Sequence, residues 1–110
     1  MAGNNVLVIG NLTGYERLPD ILELSALFEG VDVLFYEEGA VVGEWAARMA
    51  EYLQKDARPI TLKPDTLRYC GMLLILCDEL TDELLEVYGN AAAYDIRRVI
   101  YGVREKLALI

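Results

Sequence analysis

Two short stretches, NVLVIG (residues 5–10) and MLLILC (72–77), string apolar side chains together without the polar alternation of a half-exposed strand. Such runs belong to the central strands of a parallel sheet, where helices cover both faces. A chain that holds two of them, with helical patterns in between, is directed toward an α/β fold.

Those helical patterns are present. Pro19 and Asp20 suit a first turn, and DILELSALFEG follows with Ile21, Leu22, Ser25 and Phe28 on one stripe and Gly30 as its stop. VDVLFY (31–36) reads as a second strand. EWAARMAEYLQK is amphipathic: Trp45, Ala46, Met49, Ala50 and Leu53 share a face, with Glu44, Arg48, Glu51 and Lys55 opposite. Within DARPITLKP, the PITL segment reads as a short strand. Pro64 and Asp65 start a one-to-two-turn helix, DTLRYC, that Gly71 closes. Thr81 is placed as the N-cap of TDELLEVY, with Asp82 and Glu83 in its first turn and Gly89 at its end. In AYDIRRVIYGVREK, Ile96, Val99, Ile100 and Val103 repeat at helical spacing and predict a final helix. LALI (107–110) follows as a last short strand. The expectation is one domain over residues 1–110: α/β, a mainly parallel sheet, helices on both faces.

Hydrophobic residues make up 55% of the 110, enough for a core without metal or disulfide staples. The longest apolar run, MLLILC, is far too short to span a bilayer. MAGNNVLVIG lacks the basic start of a signal peptide, so the expected location is cytoplasmic, with no membrane association. The net charge of −8 repels a phosphate backbone, and the pair Arg97–Arg98 is too small to track one, which argues against nucleic acid as a partner. Histidine is absent, which removes imidazole-based triads, HExxH metal sites and imidazole proton shuttling. No motif asks for a cofactor or a resident metal.

Cys77 closes MLLILC. The carboxyl ends of strands in an open parallel sheet are where ligands collect. The helix expected from Thr81 would stabilise a thiolate there, whereas Asp78 and Glu79 would raise its pKa. A reactive thiol and a buried structural one both remain open. Cys70, seven residues earlier, is a secondary thiol that reaches Cys77 only if DTLRYC folds back over the strand's end. A pocket at the strand ends would draw on Gly10, Asn11, Gly39, Asp78 and Thr81. GNLTG (10–14) has a glycine at each end, as phosphate-wrapping loops do, but GxGxxG and GxxxxGK[ST] are both missing. The pairs Glu37–Glu38, Asp78–Glu79 and Asp82–Glu83 read as solvated charges, with a hard-cation site as the alternative. Trp45 and Tyr52 suit a core or a subunit interface, and Tyr94 with Tyr101 forms an amphipathic edge on the final helix.

Three stretches together resemble the DsrE/DsrF-like family of small sulfur-relay proteins: GVDVLFYEEGAVV (30–42), TLRYCGMLLILCDEL (66–80) and YGNAAAYDIRRVIYGVREKLALI (88–110). The resemblance implies a five-stranded α/β sandwich assembled into homo-oligomers, trimers or hexamers. It also implies that Cys77 carries sulfur as a persulfide between donor and acceptor proteins, as a sulfurtransferase-type subunit would. Two acids directly after Cys77 are a departure that disfavours the thiolate. Two other readings stand beside it: a non-catalytic oligomeric binding or assembly module of the same fold, and a small Rossmann-like nucleotide-binding protein. For the last, NVLVIGNLTGY is similar to the opening of nucleoside-deoxyribosyltransferase-like proteins.

Overall fold

The computed structural model describes residues 5–12, 26–63 and 65–102. Its strands are β1 (Asn5–Gly10), β2 (Val33–Glu37), β3 (Asp56–Ile60), β4 (Met72–Cys77) and β5 (Arg97–Gly102). They form one five-stranded sheet in the order β3-β2-β1-β4-β5, and all four pairings are parallel. Helix α1 (Val42–Leu53) lies between β2 and β3 in the chain, and α2 (Asp82–Ala93) lies between β4 and β5. This is the α/β architecture expected from the two apolar runs, which occupy the sheet's centre as β1 and β4.

Strand side chains alternate between the two faces, and the core divides accordingly. Val6, Val8, Leu34, Met72, Leu74 and Leu76 share a buried cluster with Trp45, Ala46 and Met49 of α1. Leu7, Ile9, Leu73, Ile75 and Cys77 share a second with Ala91, while Leu84, Val87 and Tyr88 of α2 pack against it. Neither central strand has a solvent face, which is why neither sequence alternates. Phe28 is fully buried in the first cluster, its ring 6.3 Å from that of Trp45. Most of the helix expected over DILELSALFEG lies outside the described residues, as do Gly14, Val103 and the strand expected at LALI.

The last third of the chain corrects two expectations. Residues 97–102 form β5, paired with β4 from Met72↔Arg97 to Cys77↔Gly102, and not a helix. Ile96, Val99 and Ile100 fit a helical stripe, but β-branched residues in succession also suit a strand, and pairing with a fully apolar neighbour decides the outcome. Tyr94 and Tyr101 therefore share no helix. In addition, α2 passes through Gly89 and ends at Ala93. A glycine inside a helix costs about 1 kcal/mol, and the three alanines that follow are the best helix formers. The stop is Asp95, whose φ of +57° is left-handed. The N–H groups of Asp95 and Ile96 donate to the carbonyls of Ala92 and Ala91 at 3.1 and 3.3 Å, a Schellman closure.

Other elements lie near their sequence signals, although β3 (Asp56–Ile60) begins three residues before PITL. The Thr81 hydroxyl accepts from the Leu84 N–H at 3.3 Å, capping α2. In α1 the stripe Trp45, Ala46, Met49 and Ala50 is buried, whereas Tyr52 is 63% exposed. The short helix near DTLRYC is a 3-10 turn, Thr66–Tyr69. Among the described residues it is the sole helical turn on the β3-to-β4 crossover, which must pass from one edge of the sheet to the far side of β1.

Candidate functional site at the ends of the central strands

The chain runs outward from β1 to β2 to β3, then returns past β1 to place β4 and β5 on its other side. The reversal point lies between the carboxyl ends of β1 and β4, where open α/β sheets form their ligand crevice. Four of the residues singled out from the sequence, Gly10, Asn11, Cys77 and Asp78, come together there, and Thr81 follows at the start of α2. Gly39 sits in the turn after β2, one strand away.

The crevice is closed by the protein itself. Gly10 has φ +135°, and a Cβ on it would sit 1.8 Å from the Leu76 carbonyl oxygen. The Leu12 N–H donates to that same oxygen at 3.1 Å. Asn11 then crosses from one strand end to the other. Its Oδ1 accepts from the Asp78 N–H at 2.8 Å and the Glu79 N–H at 3.4 Å, and its Nδ2 donates to the Glu79 carbonyl at 3.0 Å. Successive amides at such a site can cradle an anion; here the Asn11 carbonyl takes both. A second asparagine does the same at the opposite end of the strand pair. Asn5 Oδ1 accepts from the Gly71 N–H at 2.8 Å, and its Nδ2 donates to the Tyr69 carbonyl at 2.8 Å.

Asn11→Ala removes all three contacts and is expected to lower stability by about 1–2 kcal/mol. Urea unfolding would show this as a lower midpoint with an unchanged slope; an unaltered midpoint would mean that water replaces the bridge at no cost.

Cys77 is the last residue of β4, and its side chain belongs to the α2-facing cluster at 1% exposure. Burial pushes its thiol pKa up, and the Asp78 carboxylate adds to the rise. Cys70 is 3% exposed, its Sγ donates to the Thr66 carbonyl at 3.5 Å, and burial pushes its pKa up to about 11. The two free thiols flank opposite ends of β4. A six-residue strand spans roughly 17 Å, far beyond the ~7 Å between Cα atoms that a disulfide tolerates. The 3-10 turn thus stays at the amino end of β4 and does not fold back over Cys77.

The carboxylates of Glu37, Glu38, Asp78, Glu79, Asp82 and Glu83 all belong to exposed residues. Among the described residues no group of three or more Cys, Asp or Glu side chains is arranged to hold a metal ion. Nor is any helix among them long and apolar enough to cross a membrane.

A groove of about 480 Å³ that was not foreseen from the sequence lies elsewhere, against β2, β3 and the crossover that follows. Phe35 and Ile60 line it from the sheet, and Lys63, Asp65, Tyr69 and Cys70 line it from the crossover. The signal in the sequence was the shortness of the helical pattern between PITL and MLLILC, too little to cover half a sheet face. Compared with family models, with curated proteins and with solved structures, the chain matches none.

Proposed function

We propose that this domain is a non-catalytic binding module in which Cys77 is a structural thiol. The observation that carries the reading is the burial of Cys77 in the α2-facing cluster, with burial and the Asp78 carboxylate both holding the thiol protonated. Reactive cysteines occupy partly exposed, electropositive surroundings, and buried ones in apolar surroundings are inert. The bridge from Asn11 to residues 78–79 works in the same direction, because it ties the backbone that directly follows Cys77 to the end of β1.

A second reading rests on position. Cys77 ends a central strand beside the reversal point of the sheet, the place where the resemblance to DsrE/DsrF-like proteins puts a persulfide-carrying cysteine. A sulfur-relay subunit of this kind would need residues 78–80 to swing aside, and would be expected to assemble as trimers or hexamers that meet donor and acceptor proteins.

Alkylation separates the two. Iodoacetamide near neutral pH, followed by peptide mass mapping, is expected to label Cys77 in the folded protein at least about a hundredfold more slowly than after unfolding. Rapid labelling of Cys77, with a mass gain of one sulfur atom after incubation with a persulfide donor, would overturn the binding-module reading in favour of the relay.

A further inference from the structure

Among the described residues, the β3-to-β4 crossover carries less helix than either the β2-to-β3 or the β4-to-β5 connection. On the other face of the sheet the β2-to-β3 connection contains the twelve-residue α1, but this one has only the four-residue turn Thr66–Tyr69. The groove of about 480 Å³ beside it falls within the roughly 300–1,000 Å³ of small-molecule sites. Phe35 and Ile60, each partly buried, and the 62%-exposed Tyr69 supply apolar surface.

The charged lining is specific in kind. Lys63 and Asp65 are exposed side chains of opposite sign on the same groove. They take no part in the ion pairs between described residues, which join Arg48 to Glu44 and Arg58 to Asp56. Their backbone is held in place: the Lys63 N–H donates to the Thr66 hydroxyl at 2.9 Å, and the Asp65 carbonyl accepts from the Arg68 N–H at 3.1 Å. A cation and an anion two residues apart, on a backbone held by these bonds and beside an apolar surface, complement a ligand that carries both charges next to an apolar body.

Building on the binding-module reading, we infer that this groove binds a free amino acid with an apolar side chain. Its carboxylate meets the Lys63 ammonium, its ammonium meets the Asp65 carboxylate, and its side chain lies on Phe35, Ile60 and Tyr69. The backbone of an internal peptide segment carries neither charge, and a fatty acid or a simple amine carries one.

L-Phenylalanine and L-leucine are the probes, titrated into the full chain and followed by melting temperature and by amide NMR shifts. Ligands that bind the folded state raise its melting temperature. The expected result is a rise with both zwitterions, with shifts centred on Ile60, Lys63 and Tyr69. 3-Phenylpropionate and phenethylamine, each lacking one charge, are expected to bind about tenfold more weakly or worse, as are Lys63→Ala and Asp65→Ala with L-phenylalanine. Both substitutions are at exposed positions, where a change of stability within about 0.5 kcal/mol is expected. No response to either amino acid at about 10 mM would overturn the inference. So would equal binding of 3-phenylpropionate, or unchanged binding in both variants. None of these outcomes alters the alkylation of Cys77, so a failure of the ligand assignment is distinguishable from a failure of the binding-module reading.

Discussion

Gly10→Ala is expected to destabilise the fold by more than about 3 kcal/mol, from two independent costs. Gly10 has φ +135°, a region in which L side chains are strained, and the added Cβ would lie 1.8 Å from the Leu76 carbonyl oxygen. Backbone cannot step aside as a side chain can. Relieving the clash means separating the carboxyl ends of β1 and β4, which also stretches the Leu12–Leu76 hydrogen bond and the Asn11 bridge. Gly39→Ala is the internal control. Its φ of +84° carries the conformational cost, but nothing lies within 4 Å of the new Cβ, so a loss of about 1–2 kcal/mol is expected. Chemical denaturation of the two variants measures the difference. Equal losses would show that the strand ends part easily and that the closed crevice is soft.

Leu74→Ala is the second large effect, expected to cost about 2–5 kcal/mol. Leu74 is fully buried in β4, flanked by β1 and β5, and its cluster includes Trp45, Met49 and Phe28. Large rings and a packed helix leave that layer little freedom to collapse around a cavity. Leu73, equally buried, faces the other layer, where the short crossover and the groove leave more room for adjustment. Leu73→Ala therefore belongs at the lower end of the same range. Thermal or urea unfolding of the pair tests this order, and a larger loss at Leu73 would mean that the thinly covered face is the stiffer one. Against a total stability of about 5–15 kcal/mol, either substitution is serious.

What was legible in the sequence depended on how local the physics was. β1 and β4 could be recognised from their own residues, because burial on both faces removes every polar side chain from MLLILC. The α1 stripe was equally self-contained. β5 was not. RRVIYG fits a helical stripe as well as a strand, and only its pairing with β4, whose residues lie 25 positions earlier, resolves the ambiguity. Gly89 misled for a related reason: a single poor helix former does not stop a helix when three alanines follow, and the true stop, a left-handed Asp95, carries no strong sequence mark.

The candidate site divides in the same way. That Cys77 stands at a strand end followed from the strand itself. Its burial did not, since that depends on the turn to α2 and on Leu80 and Leu84, which pack against its cluster. The role of Asn11 joins residues 67 and 68 positions apart. Asn5 escaped notice altogether, because an asparagine at the start of a strand looks like ordinary turn chemistry until its partners at Tyr69 and Gly71 are known. The groove was missed because it is made by what the crossover lacks.

The pairing of β1 with β4 joins residues 66 positions apart, from Val6↔Met72 to Gly10↔Leu76, and asparagines tie it at both ends. Every parallel pair needs a crossover before it can form, so folding of such a sheet is slow compared with a hairpin. During synthesis β1, β2 and β3 are complete before β4 has been made. At about 5–20 residues per second the gap from Ile60 to Cys77 lasts roughly one to three seconds. Throughout that interval Val6–Ile9 is an unpaired apolar edge, open to the wrong neighbour. The two asparagines then act as a register check: a slip of one residue would break both ties at once, so an incoming β4 is held firmly only when it is correctly aligned.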